Sequence, residues 1–338
     1  AAKAPFDLYH ADYKPGVKLY VKRVYITDDE KELLPTYLRF VRGVIDSEDL
    51  PLNVSREILQ QNKIMSNIRT ASVKKILGEL KKISDQNPEL YTKIIEQFNR
   101  PLKEGLYGDY GNRETLLSLV RFKSTTEEGF TSLAAYKSRM KEDQKTIYYL
   151  AGGNEEALKR SPLLEGYKKK GYEVLLMTDD IDDIVVPSIG TFEELPLKAI
   201  NKSGAVDELD KEESKKKAKE GKSVLKKMKK ALDKRVKDVV ASSRLVYAPA
   251  VIVVDDNDPS VQMQQILKAM GQTDMPETTP ILEVNLESPI LKKIELSDDE
   301  NYIAELSNVL LDQALISEGV MPKDPADFVK RLNSLLSR

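Results

Sequence analysis

The apolar positions along the chain fall into alternating runs and helical stripes. Lys18 to Ile26, KLYVKRVYI, is rich in β-branched and aromatic residues and predicts a strand. Leu34, Tyr37, Leu38, Val41 and Ile45 then recur at i, i+3, i+4, i+7 and i+11, one face of a helix with Arg39 and Arg42 opposite. Leu50 to Val54 reads as extended around Pro51, and Ser55 as the N-cap of a following helix. The helical spacing resumes through Ile64, Ile68, Ala71, Ile76, Leu80 and Ile83 until Asn87-Pro88 stops it, and a helical region continues to about Phe122.

Further on, TIYYL (Thr146 to Leu150) and YEVLLMT (Tyr172 to Thr178) are compact apolar runs flanking a helical stretch, which predicts a parallel β-α-β unit. From Asn201 to about Lys230 the composition turns to Lys, Glu, Asp and Ser, a solvated linker running into a surface helix. The domain boundary is placed there. Residues 1–200 form the first domain, with a helical connection at about 62–122 and a second α/β part at about 123–200; 201–224 is the linker, and 225–338 the second domain. Strand-like runs surround Pro249, and PILEVNLESPI gives another strand. Between them Met263, Ile266, Leu267 and Met270 sit at i, i+3, i+4 and i+7, a one-sided stripe that reads either as core or as an adaptable methionine surface.

Two helices close the chain, about Asn301 to Ser317 and Pro325 to Ser337. Leu306, Val309, Leu310, Gln313 and Ala314 form one stripe, and Phe328, Leu332 and Leu335 another. Either both pack on their own domain, or two copies pair them into a four-helix bundle.

Composition narrows the chemistry. With 41% apolar and 32% charged residues the chain can build folded cores. The absence of cysteine removes disulfides, thiolate catalysis and zinc–thiolate sites, and makes the cytoplasm the expected compartment. The 53 basic and 55 acidic side chains nearly cancel, so no global field draws the chain to nucleic acid or to a membrane surface. No apolar run reaches the roughly 18 to 20 residues of a membrane span, and the first residues do not resemble a secretory signal. A Ser-His-Asp triad or a multi-histidine metal site would have to be built around the single histidine, His10, which sits in a short polar opening segment, and hydrolase signatures are absent. Asp179, Asp180, Asp182 and Asp183 follow a strand and suggest a magnesium site or, more simply, the acidic first turn of a helix.

In DLPLNVSREILQQNKI, Arg56 falls in the first turn of a helix and Gln60 one turn later. A guanidinium is unfavourable beside a helix N-terminus, and an external anion, or a surface salt bridge, would relieve it. The stretches APFDLY, KLYVKRVYITDD, YLRFVRGVIDSEDLPLNVSREILQ, SRMKEDQKTIYYLAG and LLDQALISEG are similar, in order, to segments of heat shock protein 90 chaperones of the bacterial HtpG type.

The resemblance implies an α/β middle domain, incomplete at its start, in two subdomains joined by helices, followed by an α+β C-terminal dimerisation domain. It implies that Arg56 contacts the γ-phosphate of ATP, supported by Gln60, once an N-terminal ATPase domain is present in cis. ATP and magnesium then belong to the full-length protein, and this fragment is expected to hold no cofactor and to be no enzyme. Client contacts are implied for Met263, Ile266, Leu267 and Met270, and for Asp183 and Ile184, where the family has glutamate and tryptophan. Partners are then partly folded clients and a second copy, which the closing stripes would bind; the NSLLSR ending favours a bacterial form without tetratricopeptide cochaperones. The alternative is a magnesium-dependent phosphoryl-transfer enzyme built on Arg56 and the aspartate run.

Overall fold

A computed structural model describes residues 3–10, 13, 16–28, 33–51, 63–209, 211–269, 271 and 278–337. The fold is mixed α and β. In chain order the first elements are β1 (Gly16–Val21), β2 (Val24–Thr27), β3 (Arg42–Ser47), α1 (Lys63–Gln86), α2 (Pro88–Gly108), α3 (Arg113–Leu119), β4 (Lys123–Ser124) and α4 (Leu133–Arg139). Then come β5 (Ile147–Ala151), α5 (Glu155–Lys159), α6 (Glu165–Lys170), β6 (Val174–Met177), α7 (Asp182–Ile189), β7 (Thr191–Phe192) and β8 (Leu195–Ala199). The remainder is α8 (Gly204–Leu209), α9 (Lys211–Glu220), α10 (Lys222–Leu232), β9 (Asp238–Ala241), β10 (Ala250–Val253), α11 (Val261–Ala269), β11 (Ile281–Val284), α12 (Pro289–Leu296), α13 (Glu300–Ser317) and α14 (Pro325–Leu336). Contacts divide these into one unit of residues 1–122, 129–138 and 184–193, and another of 123–128, 139–183 and 194–338.

In the first unit the predicted Lys18 to Ile26 strand is a hairpin. Lys22 and Arg23 both take positive φ, 49° and 68°, and bring Val21 opposite Val24. A two-residue turn of that kind normally carries Asn or Gly, so nothing in KLYVKRVYI announces it. The predicted helix over Leu34 to Ile45 is also corrected. Pro35 is extended, Thr36–Leu38 makes one 3-10 turn, and β3 follows, paired in parallel with β1 through Leu19 and Ile45. The helical spacing was coincidental there, and Val44 and Ile45, stiff at χ1, fit the ladder better than a helix. Arg39, expected on the outer face, instead donates bidentately to Glu104 of α2 and through Nε to the Leu8 carbonyl at 2.9 Å. The break between the long helices follows the pattern closely: α1 ends at Gln86, and the side chain of Asn87 caps α2 by accepting from Leu90 N at 3.1 Å, with Pro88 in the first turn.

In the second unit β5 runs parallel to β6 and to β8, and β4 is antiparallel to β6. This is the predicted β-α-β unit, with every residue of β5 and β6 buried. A second sheet has the order β10-β11-β9. The charged 201–224 segment forms α8, α9 and the start of α10, with Leu209 and Val224 buried. One core cluster draws Tyr148, Leu150 and Leu176 together with Leu209, Leu245, Val251 and Ile281, so the two sheets share apolar packing. A second cluster gathers α10, α12, α13 and the other face of the β10-β11-β9 sheet.

Where the two sheets meet lies an ion pair without solvent contact: Arg244 and Glu283 are both fully buried. Arg244 donates from Nε and Nη2 to the two Glu283 oxygens at 3.0 and 2.6 Å, and from Nη1 to the Ile200 carbonyl. Ser242 donates to the same carboxylate at 2.5 Å. Gly166 of α6 lies against Arg244; a Cβ there would stand 2.5 Å from the Arg244 Cβ. Glu283→Ala is expected to cost about 3–5 kcal/mol, because it strands a buried guanidinium, whereas Arg244→Met with Glu283→Leu should cost far less. Urea denaturation of both variants measures this, and a wild-type midpoint for Glu283→Ala would refute it.

Candidate functional site

Arg56 and Gln60 lie outside the described residues, as does Met270, and of Ile266 only the backbone of α11 is described. Met263 and Leu267 are half-buried on α11, between the core and the free-surface alternatives. Ser260 starts that helix: its hydroxyl accepts from Met263 N at 3.0 Å and donates to Asp183 Oδ2 at 3.0 Å. Asp183, far from α11 in sequence, is therefore hydrogen-bonded to the start of the helix that bears Met263 and Leu267. Ile184, next to Asp183, is 45% exposed.

The base of α11 is electrostatically costly. Burial pushes the Asp183 carboxyl above its ordinary range, against the Ser260 hydrogen bond and the Lys202 charge. Burial lowers Lys202, which Asp256, Asp183 and Asp258 partly restore, and its ammonium donates to the Asp255 carbonyl at 3.3 Å and to the Asp258 carbonyl. On the other side Ser260, Val261, Asn201 and Glu318 line a cavity of about 10 Å³, the size of one water. Burial raises Glu318 to about 7, against the pull of Arg244.

The aspartate run is a helix start. Asp182 and Asp183 occupy the first turn of α7, and the Asp182 carboxylate accepts from Asp179 N at 3.0 Å. Among the described residues no His, Cys, Asp and Glu group could hold a metal ion, and no helix is long and apolar enough to cross a membrane.

In the closing helices Leu306, Leu310 and Ala314 lie in a core cluster of this chain, with Leu335 packed against it. Val309 is buried and Gln313 exposed. The α13 stripe is thus mostly internal, whereas Phe328 and Leu332 of α14 are half-buried and Val329 and Leu336 are 51% and 76% exposed.

The sequence model described as Hsp90 protein matches residues 1–338, the whole chain. The chain belongs to the Hsp90 family. It is 58% identical to the Chaperone protein HtpG of Treponema denticola over 99% of this chain and 54% of that protein. It is 54% identical to the Treponema pallidum protein of the same name, over 100% of this chain and 54% of the relative, and 51% identical to that of Wolinella succinogenes, over 100% and 55%. This Hsp90 chain spans about half the length of these relatives. Nothing in the match supports the phosphoryl-transfer alternative.

Ser260 was not read as a cap in the sequence, although a serine placed before an apolar periodic run is the signal that could have found it. Its partner Asp183 and the role of Glu318 had no such signal, since neither lies near α11 in sequence.

Glu318 yields a pH prediction. Its folded pKa, about 7, lies above the ordinary 4.5, so its contribution to stability is fully present below about 4.5 and is lost as pH rises through 7. Glu318→Gln should therefore stabilise the chain at pH 8 relative to wild type, by roughly 1–2 kcal/mol once partial solvent access is allowed for, and not at pH 4. Thermal unfolding across that range checks it; a pH-independent difference refutes it.

Proposed function

We propose that this chain is the client-holding and dimerising part of an Hsp90 chaperone that remodels partly folded proteins. The observation carrying the reading is the Ser260–Asp183 hydrogen bond, which ties Asp183 to the start of the helix that bears half-buried Met263 and Leu267. Methionine and aliphatic side chains at intermediate burial suit a surface that must accept many shapes.

The domain division of the reading is a middle domain over 1–200, a connecting segment at 201–224 and a dimerisation domain from 225. The partner copy docks on α14, through Phe328, Val329, Leu332 and Leu336, since most of the α13 stripe is occupied within the protomer. Pairing on a two-fold axis is the commonest way to cover such a stripe. ATP and magnesium are bound by an N-terminal domain in cis, where Arg56 reaches the γ-phosphate and Gln60 supports it; the compartment is the cytoplasm. The similarity to proteins named Chaperone protein HtpG supports the chaperone reading as a whole.

Met263→Ser with Leu267→Ser should weaken binding of an unfolded client several-fold, while sedimentation still shows a dimer and thermal stability changes little. A loss of several kcal/mol of stability instead, as for truncated core residues, would mean that the stripe is core. In the whole protein, Arg56→Ala should lower ATP turnover by about 10³-fold, the scale of a missing arginine finger. Normal turnover in that variant rules out the γ-phosphate role.

A further inference from the structure

Residues 215–230 of the second unit carry nine lysines, and they fall into two sets. Five are engaged. Lys216 pairs with Glu220 at 3.9 Å and Lys217 with Glu213 at 3.1 Å. Lys227 donates to the Glu295 and Ser297 carbonyls at 3.0 and 2.7 Å, Lys229 to those of Val236 and Lys237, both at 2.6 Å, and Lys230 to the Glu300 carboxylate at 2.6 Å. The other four, Lys215, Lys219, Lys222 and Lys226, are exposed, and among the described residues their ammonium groups take no ion pair or hydrogen bond.

Those four stand in one line. Lys215 and Lys219 lie at i and i+4 on α9, and Lys222 and Lys226 at i and i+4 on α10. Gly221, at φ −81° and ψ 1°, ends one helix and starts the next, yet its N donates to the Lys217 carbonyl and its carbonyl accepts from Leu225 N, both at 2.9 Å. One turn therefore still separates Lys219 from Lys222, and the line runs about 16 Å at about 1.5 Å per residue. On α10 it lies about 160° around the helix from Val224 and Met228, which are buried in the core. Helix α9 buries no residue of its own and is tied down by Ser214, whose hydroxyl donates to that of Ser243 at 2.9 Å.

Like charges at i and i+4 repel, and Lys215 with Lys219, and Lys222 with Lys226, are two such pairs. Glu213 and Glu220 are drawn away to Lys217 and Lys216, and exposed Glu212 stands at the α9 end of the line. An external anion relieves the repulsion. Its form is restricted, because residues 211–232 include no arginine and no aromatic residue, hence neither a planar fork for phosphates nor a stacking platform for bases. The apolar face of α10 is turned into the core and is not available to enter a bilayer. Point charges at rises of about 6.0, 4.5 and 6.0 Å suit one side of an extended polypeptide, where alternate residues recur at about 6.6–6.8 Å. We propose that Lys215, Lys219, Lys222 and Lys226 form a docking strip for acidic segments of partly folded polypeptides, bound extended with carboxylates on alternate residues. The strip adds a charge preference to the client reading and rests on that reading for its natural occupant; its binding of an acidic peptide does not.

The probe is a labelled peptide of about twelve alternating Glu and Thr residues, titrated into the whole chain and followed by fluorescence anisotropy. Saturable binding of one peptide per chain is expected at about 20 mM salt, weakening at least about tenfold by about 0.5 M as the screening length shrinks. A Gln-Thr peptide of the same length should bind at least about tenfold more weakly. Replacing Lys215, Lys219, Lys222 and Lys226 by Gln should weaken the acidic peptide at least about tenfold with an unchanged circular dichroism spectrum, whereas Lys216→Gln with Lys230→Gln, which removes engaged charges, should change it less than about twofold. Lys219→Gln with Lys222→Gln is a milder variant expected to weaken binding in the same direction. Met263→Ser with Leu267→Ser should leave the acidic peptide bound as before, so failure of the client reading and failure of the strip are told apart. The proposal is overturned by absent or non-saturable binding, by equal binding of the Gln-Thr peptide, by undiminished binding in the folded strip variants, by an equal loss in the Lys216 and Lys230 variant, or by tighter binding of polyuridylate or of phosphatidylglycerol vesicles than of the peptide.

Discussion

Two charges that never touch water, Arg244 and Glu283, set the geometry on which the second unit depends. Removing such ions from solvent costs several kcal/mol each, and only a fully satisfied hydrogen-bond set offsets it. That requirement fixes distances among β11, the turn after β9 and the Ile200 carbonyl at once. Ile200 leads to the 201–203 segment, which pairs with Val254: Val254 N donates to the Asn201 carbonyl at 3.1 Å, and Ser203 N to that of Val254 at 2.9 Å. Val254 in turn leads to Ser260 and α11. A run of hydrogen bonds thus leads from the ion pair through Ile200 and the Asn201–Val254 pairing toward Ser260 at the start of α11.

What was legible in the sequence was whatever rests on local periodicity. The stripe from Ile64 to Ile83 and the Asn87-Pro88 stop gave the end of α1 and the start of α2 nearly to the residue, though not the end of α2 at Gly108, and the two runs TIYYL and YEVLLMT gave a parallel pair. The errors arose where a tertiary partner decided. Leu34 to Ile45 has helical spacing, yet β1 offers a ladder to its second half. The Lys22-Arg23 turn uses residues that rarely take positive φ. At the candidate site the family motif carried Arg56, and spacing carried the α11 stripe, but the Asp183–Ser260 bond spans 77 positions and no local rule links them. Burial of the α13 stripe was open between two outcomes, because an amphipathic helix does not say which neighbour covers it.

Helix α11 stands in two environments. Its first turn is capped and hydrogen-bonded to a half-buried carboxylate, while Met263, Leu267 and Lys268 along its length keep solvent contact. The helix is anchored where polar groups are densest and presented where apolar ones are. Glu318 and Asp183, both held above their ordinary ranges by burial, flank the anchored end, so the anchor is the part whose energy responds to protons.

Gly166 gives the Arg244 cluster a history as well as a geometry. No side chain larger than hydrogen fits against the Arg244 backbone and Cβ, and neither ion is tolerable without the other. A lineage could not exchange these positions one at a time without passing through a crippled intermediate. Glycine, arginine and glutamate would therefore be inherited together or abandoned together, a ratchet that keeps this corner of the fold fixed while the surface around it drifts.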